Sequence, residues 1–144
     1  AAADHPADCW IPKKLIFRNV RTQDRLVKHK SWEIMPNNGF NSSSSVWINN
    51  ADYPANGEYD DLILPTLDLS SLSNADLSFN YAYSLWTDPN SSQVWSDTLQ
   101  IWISDDCGTS WQKIWEKSGA NLVTTNPIFN AFILESVSGT LKNP

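Results

Sequence analysis

The chain has 144 residues, about one domain's worth, with 41% hydrophobic and 18% charged residues, which is too apolar for a disordered chain. No stretch approaches the roughly 20 consecutive apolar residues of a spanning helix, so no membrane span is expected. The net charge of −6 argues against nucleic acid as a partner, because phosphates call for basic surface.

The charge is unevenly placed. Residues 1–32 hold seven of the ten basic groups (Lys13, Lys14, Arg18, Arg21, Arg25, Lys28 and Lys30) and are net +4, whereas the remainder is net −10. This shift sets residues 1–30 apart as an atypical basic segment, either a solvated face or an arm docked on the acidic body, ahead of a unit at 31–144. Its opening, AAADHPADCW, carries no apolar run of the signal-peptide kind. Cys9 and Cys107 are too few for a disulfide scaffold, and pairing between them stays open beside free thiols. Within the basic segment a short strand is expected at Leu15–Phe17.

From residue 44 onward the hydrophobic period is two. Shorter strand candidates are Val46–Asn49 and Leu62–Leu64, the latter stopped by Pro65. Leu77, Phe79, Tyr81 and Tyr83 alternate with small or polar residues, as do Leu99, Ile101 and Ile103 with Gln100, Trp102 and Ser104. Trp111, Lys113 and Trp115 alternate with Gln112, Ile114 and Glu116, and 128–134 (IFNAFIL) is a further candidate. Turn clusters separate them: PNNGFNSSSS at 36–45, NADYPANG at 50–57, TDPNSSQ at 87–93 and SGANLVTTNP at 118–127. Short strands between turns predict an all-β antiparallel sandwich.

Ser104-Asp105-Asp106-Cys107-Gly108-Thr109-Ser110-Trp111 matches S-x-D-x-G-x-x-W, the Asp-box. Its mechanics suit a hairpin turn: the Asp accepts backbone N–H groups, the Gly supplies positive φ, and the Trp packs back over the turn. The box is known from sialidase propellers, where it recurs; a single copy reads as a structural hairpin.

A wider resemblance surrounds the box. Gly57-Glu58-Tyr59-Asp60-Asp61-Leu62-Ile63-Leu64-Pro65-Thr66-Leu67-Asp68-Leu69-Ser70, then Ser73–Tyr83, then Ser96–Ser104 leading into Asp106-Cys107-Gly108, together resemble the cleaved-adhesin or choice-of-anchor J modules of secreted Bacteroidota proteins, which are similar to MAM domains. The resemblance covers roughly residues 31–136. It implies a jelly-roll-like β-sandwich, an extracellular or cell-surface location, a non-catalytic binding or adhesion role beside a protease or surface protein, and calcium, with Asp60 as the matching metal ligand. Two departures stand out: Arg18 occupies a place where the family carries a carboxylate, and the chain stops at Lys142-Asn143-Pro144, before the family's last strand pair. A jelly roll lacking those strands would be incomplete at its C-terminal end, which leaves three readings: the chain is a fragment, a partner chain supplies the missing strands, or it is a divergent member.

For ligand contact the expectation falls on Trp86, Trp95 and Trp102. Trp102 shares its strand face with Gln100 and Thr98, and Trp86 and Trp95 bracket a long polar loop. Flat rings suit the C–H faces of sugars as well as protein ligands. A glycan hydrolase is the competing reading, through Asp60 with Asp61 or Asp105 with Asp106. Neighbouring strand residues point to opposite faces, which speaks against either adjacent pair. No catalytic residue is therefore expected. A third reading is a structural subunit completing its sandwich with a neighbour's strand.

Overall fold

The computed structural model describes residues 12–21, 32–50, 57–87, 94–125 and 137–140. The candidate strand at 128–134 and both histidines lie outside them. The described chain is an all-β antiparallel sandwich, as the period-two pattern predicts. Its strands are β1 (Pro12–Arg21), β2 (Glu33–Pro36), β3 (Ser44–Trp47), β4 (Tyr59–Ile63), β5 (Leu67–Asp68), β6 (Ser78–Tyr81), β7 (Trp86–Thr87), β8 (Val94–Trp95), β9 (Asp97–Ser104), β10 (Gln112–Ser118) and β11 (Val137–Thr140). One turn of 3-10 helix lies at Gly119–Asn121.

The main sheet runs β10-β9-β1-β4, with β5 also on β1. The strand expected at Leu15–Phe17 is thus ten residues long and lies in the middle of the sheet rather than at its margin. One edge of β1 pairs with β9 from Lys14↔Ser104 to Arg21↔Asp97. The other edge pairs first with β5 and then with β4. Pro65 makes that interruption, as the sequence predicts: it has no N–H for the ladder, and the last bond before it runs from the Leu64 amide to the Leu15 carbonyl at 3.0 Å.

Alternation along β1 gives the sheet two faces. On the inner face lie Leu15, Phe17, Ile101, Leu62 and Trp115; Phe17 and Trp115 each meet Phe79 of β6 edge-on, at ring centroids of 5.4 and 5.2 Å. Tyr81 closes the cluster against Trp115 at 5.9 Å. Edge-to-face geometry suits the ring quadrupoles and adds to the burial of the rings themselves. β6, paired with β11, is therefore the second layer, and the core lies between it and the main sheet, with Ile101 fully buried at its centre.

Simple alternation places Lys113 and Trp115 on one face of β10. A register shift between them corrects this: Lys113 stands opposite Trp102 and Trp115 opposite Ile101, with Ile114 as the inserted residue. A bulge of this kind turns the strand by one residue. It sends Trp115 into the core and leaves Lys113 and Glu116 on the outer face.

Two hairpins flank this body. In β2–β3, Ile34 and Val46 are direct partners and both exposed, so the hairpin contributes little to the core. Its loop is closed by the Asn37 amide on the Ser43 carbonyl at 2.8 Å, and a Cβ at Gly39 would collide with the Ser44 carbonyl. The Trp32 indole N–H donates to the Asp60 carbonyl at 3.2 Å, tying the start of the hairpin segment to β4. Near the start of β9, the Tyr83 hydroxyl donates to the buried Asp97 carboxylate at 3.1 Å and accepts from the Asp97 amide at 2.8 Å. Burial, reinforced by the Asp97 charge, pushes the Tyr83 phenol far up, so it stays protonated as a donor.

Because Trp115 joins two aromatic contacts in the core while Trp111 sits over a turn, Trp115→Ala is expected to cost about 3–5 kcal/mol and Trp111→Ala distinctly less. Urea unfolding of both variants measures this, and equal losses would contradict the assignment.

Candidate functional site

The outer face of the main sheet carries a connected set of polar and aromatic side chains. Four of them form one row across four strands, Asp61 of β4, Arg18 of β1, Gln100 of β9 and Glu116 of β10, because each is the register partner of the next. The hydrogen bonds follow the register. Arg18 donates to both carboxylate oxygens of Asp61, Nε at 2.7 Å and a terminal nitrogen at 2.8 Å. The Gln100 amide donates to Glu116 at 2.7 Å, and Lys113 donates to the same carboxylate oxygen.

Two rings stand beside this row. The Arg18 guanidinium lies 4.0 Å from the Tyr59 ring centroid and 5.2 Å from that of Trp102, cation–π distances on both sides. Trp102 is half-buried on this face, and its indole N–H donates to the Gln100 carbonyl oxygen at 3.0 Å. Lys113 lies 6.0 Å from the Trp102 ring. The hydrogen bond to Asp61 raises the Arg18 pKa further, and hydrogen bonds from Lys113 and Gln100 lower that of Glu116, so both groups keep their charge. Sequence reasoning picks out Trp102 here because β9 is regular. It misses Arg18, whose place beside Trp102 depends on pairing between distant strands, and Tyr59, whose place beside Arg18 does too.

Trp86 and Trp95 are direct partners in the β7–β8 hairpin, with the loop at 88–93 outside the described residues. They do not join Trp102, whose Cα is about 17 Å along β9 from Asp97 at 3.4 Å per residue.

The carboxylate pairs divide. Asp61 faces outward to Arg18, whereas Asp60, opposite Asn19, is on the other face. Asp105 pairs with Lys13 at 3.3 Å, and Asp106 is committed to the turn. Asp106 Oδ1 accepts the Ser110 amide at 2.8 Å and the Ser104 hydroxyl at 2.8 Å, and its second oxygen accepts the Ser110 hydroxyl. The Ser104 hydroxyl in turn accepts the Gly108 amide at 2.7 Å. Cys107 and Gly108 take positive φ of 62° and 89°, and the Trp111 indole donates to the Gly108 carbonyl at 3.2 Å, packing back over the turn. The Asp-box is the β9–β10 hairpin. Cys107 at its tip is disulfide-bonded, and the chain's only other cysteine is Cys9, outside the described residues.

Among the described residues no three His, Cys, Asp or Glu side chains gather as a metal-holding group. Comparison with protein-family models, with curated proteins and with solved structures gives no match.

Hydrogen bonds from Ser110 and Ser104 hold the Asp106 carboxyl down at about 2. Its stabilising effect is fully present above the ordinary Asp value of about 3.9 and is lost as pH falls through about 2. The melting-temperature gap between wild type and Asp106→Ala is expected to hold steady above about pH 4 and to close towards pH 2. A gap that closes near neutrality would contradict the role given to this carboxylate.

Proposed function

We propose that this chain is a non-catalytic binding module of an exported protein, and that the outer face around Trp102 is its ligand-contact surface. The observation that carries the reading is the state of that face. A Trp and a Tyr flank an arginine in the middle of a sheet, and among the described side chains beside them Arg18 is paired with Asp61 and Lys113 with Glu116. Such a face offers ring surface and fixed hydrogen-bonding groups, the ingredients of recognition. The carboxylates that a hydrolase reading needs are divided between two faces or committed to a turn, which favours binding over glycan hydrolysis.

The resemblance to cleaved-adhesin modules points the same way, towards a glycan or protein ligand and an accessory place beside a protease or surface protein. The disulfide at Cys107 supports an extracellular or cell-surface location, since disulfides persist in oxidising compartments. The Trp86–Trp95 rung is a second contact point in the same reading.

A glycan array and a pull-down comparing wild type with Trp102→Ala and Trp95→Ala test it. Weaker binding of a ligand by Trp102→Ala, with the melting temperature nearly kept, is expected. Undiminished binding by the Trp102 variant would remove this face from the account.

A further inference from the structure

The charges described on the outer face also restrict what it can hold. Arg18 is spent on Asp61 through two bonds, and Lys113 on Glu116. An anionic ligand would have to draw a cation away from its internal carboxylate, and a cationic ligand the reverse. Half-buried groups that lose a partner keep their desolvation cost, so such exchange is unfavourable at Arg18 and Asp61, which are each about one-quarter exposed.

A neutral ligand rich in hydroxyl groups meets no such obstacle. A carboxylate has about four lone-pair sites and a guanidinium five N–H donors, so Asp61, Arg18 and Glu116 can accept or donate further bonds without surrendering those they make. The Trp102 indole N–H is already satisfied by Gln100, which fixes the ring and leaves it to act through its surface. At about 4.8 Å between strands, the row from Asp61 to Glu116 spans roughly 14 Å, close to the length of a trisaccharide.

We propose that the face binds a neutral polysaccharide laid across β4, β1, β9 and β10, hydrogen-bonded along the Asp61–Arg18–Gln100–Glu116 row and stacked on Trp102. This rests on the reading of the Trp102 face as the ligand-contact surface and adds the ligand's chemical class.

Affinity electrophoresis of the whole chain in gels containing neutral polysaccharides (a β-glucan, a mannan, a xylan) or acidic ones (polygalacturonate, alginate) tests it, at low salt and at about 0.5 M salt, where exposed charges are screened. Retardation by at least one neutral polysaccharide, unaltered by salt, is expected. Trp102→Ala should weaken it roughly 2- to 12-fold, the equivalent of one stacked ring, and Gln100→Leu should weaken it too, with melting curves verifying that both variants fold. Retardation only by acidic polysaccharides, lost in salt, would overturn the ligand class while leaving the face in place if Trp102→Ala abolishes it. So would a protein ligand captured in place of any polysaccharide. Folded protein that no neutral polysaccharide retards would overturn the proposal. Binding of any ligand that both variants retain in full would overturn the underlying reading as well.

Discussion

The pairing of β1 with β9, from Lys14↔Ser104 to Arg21↔Asp97, is the constraint on which the rest of the structure hangs. β1 is the strand that joins the β9–β10 hairpin to β4 and β5; without it the ladder of the main sheet falls into the β9–β10 hairpin, β4 and β5. Its alternate side chains serve both faces at once. Leu15 and Phe17 enter the core, while Ile16, only 4% exposed, and Arg18 support the outer face beside Trp102. The same strand carries basic charge into an acidic body, and Arg18 meets Asp61 while Lys13 meets Asp105. The exposed Lys13 pair contributes little. The bidentate, half-buried Arg18 pair fixes the register of β1 against β4, because a slip of one residue would place the guanidinium on the core face.

What the sequence shows of this fold is its local part. Alternation at 77–83 and 99–103 marks β6 and β9, Pro65 marks the break between β4 and β5, and the Asp-box marks the hairpin at Ser104–Trp111, because each of these depends on neighbours within a few residues. The non-local part is not legible. Nothing in KKLIFRNVR indicates a central strand, since its charged alternation resembles that of an edge, and only the acidic partners supplied by β4 make Arg18 acceptable there. The bulge at Ile114 is equally hidden: strict alternation is the default reading of a strand, and one inserted residue reverses it for everything that follows.

The same division governs the candidate site. Trp102 can be assigned to the polar side of β9 from period two alone. Gln100, its hydrogen-bond partner, is two residues away and shares that side for the same reason. Arg18 and Lys113 reach Trp102 from two other strands and Tyr59 reaches Arg18 from a third, so their part in the site is set by register and, for Lys113, by the bulge. Adjacent acids are the converse case. Asp60 and Asp61 look like a pair in the sequence, yet a strand directs them to opposite faces, and only Asp61 reaches the arginine.

If β1 is the strand that holds the sheet together, its amides should open only when the whole molecule does. Hydrogen exchange followed by mass spectrometry measures this directly. The account predicts that amides across Leu15–Val20 exchange as slowly as those of β9, in the most protected class of the chain. Rapid exchange across Leu15–Val20, with β9 and β10 still protected, would show that the basic segment is an arm laid against a sheet that stands without it, and would contradict the central claim.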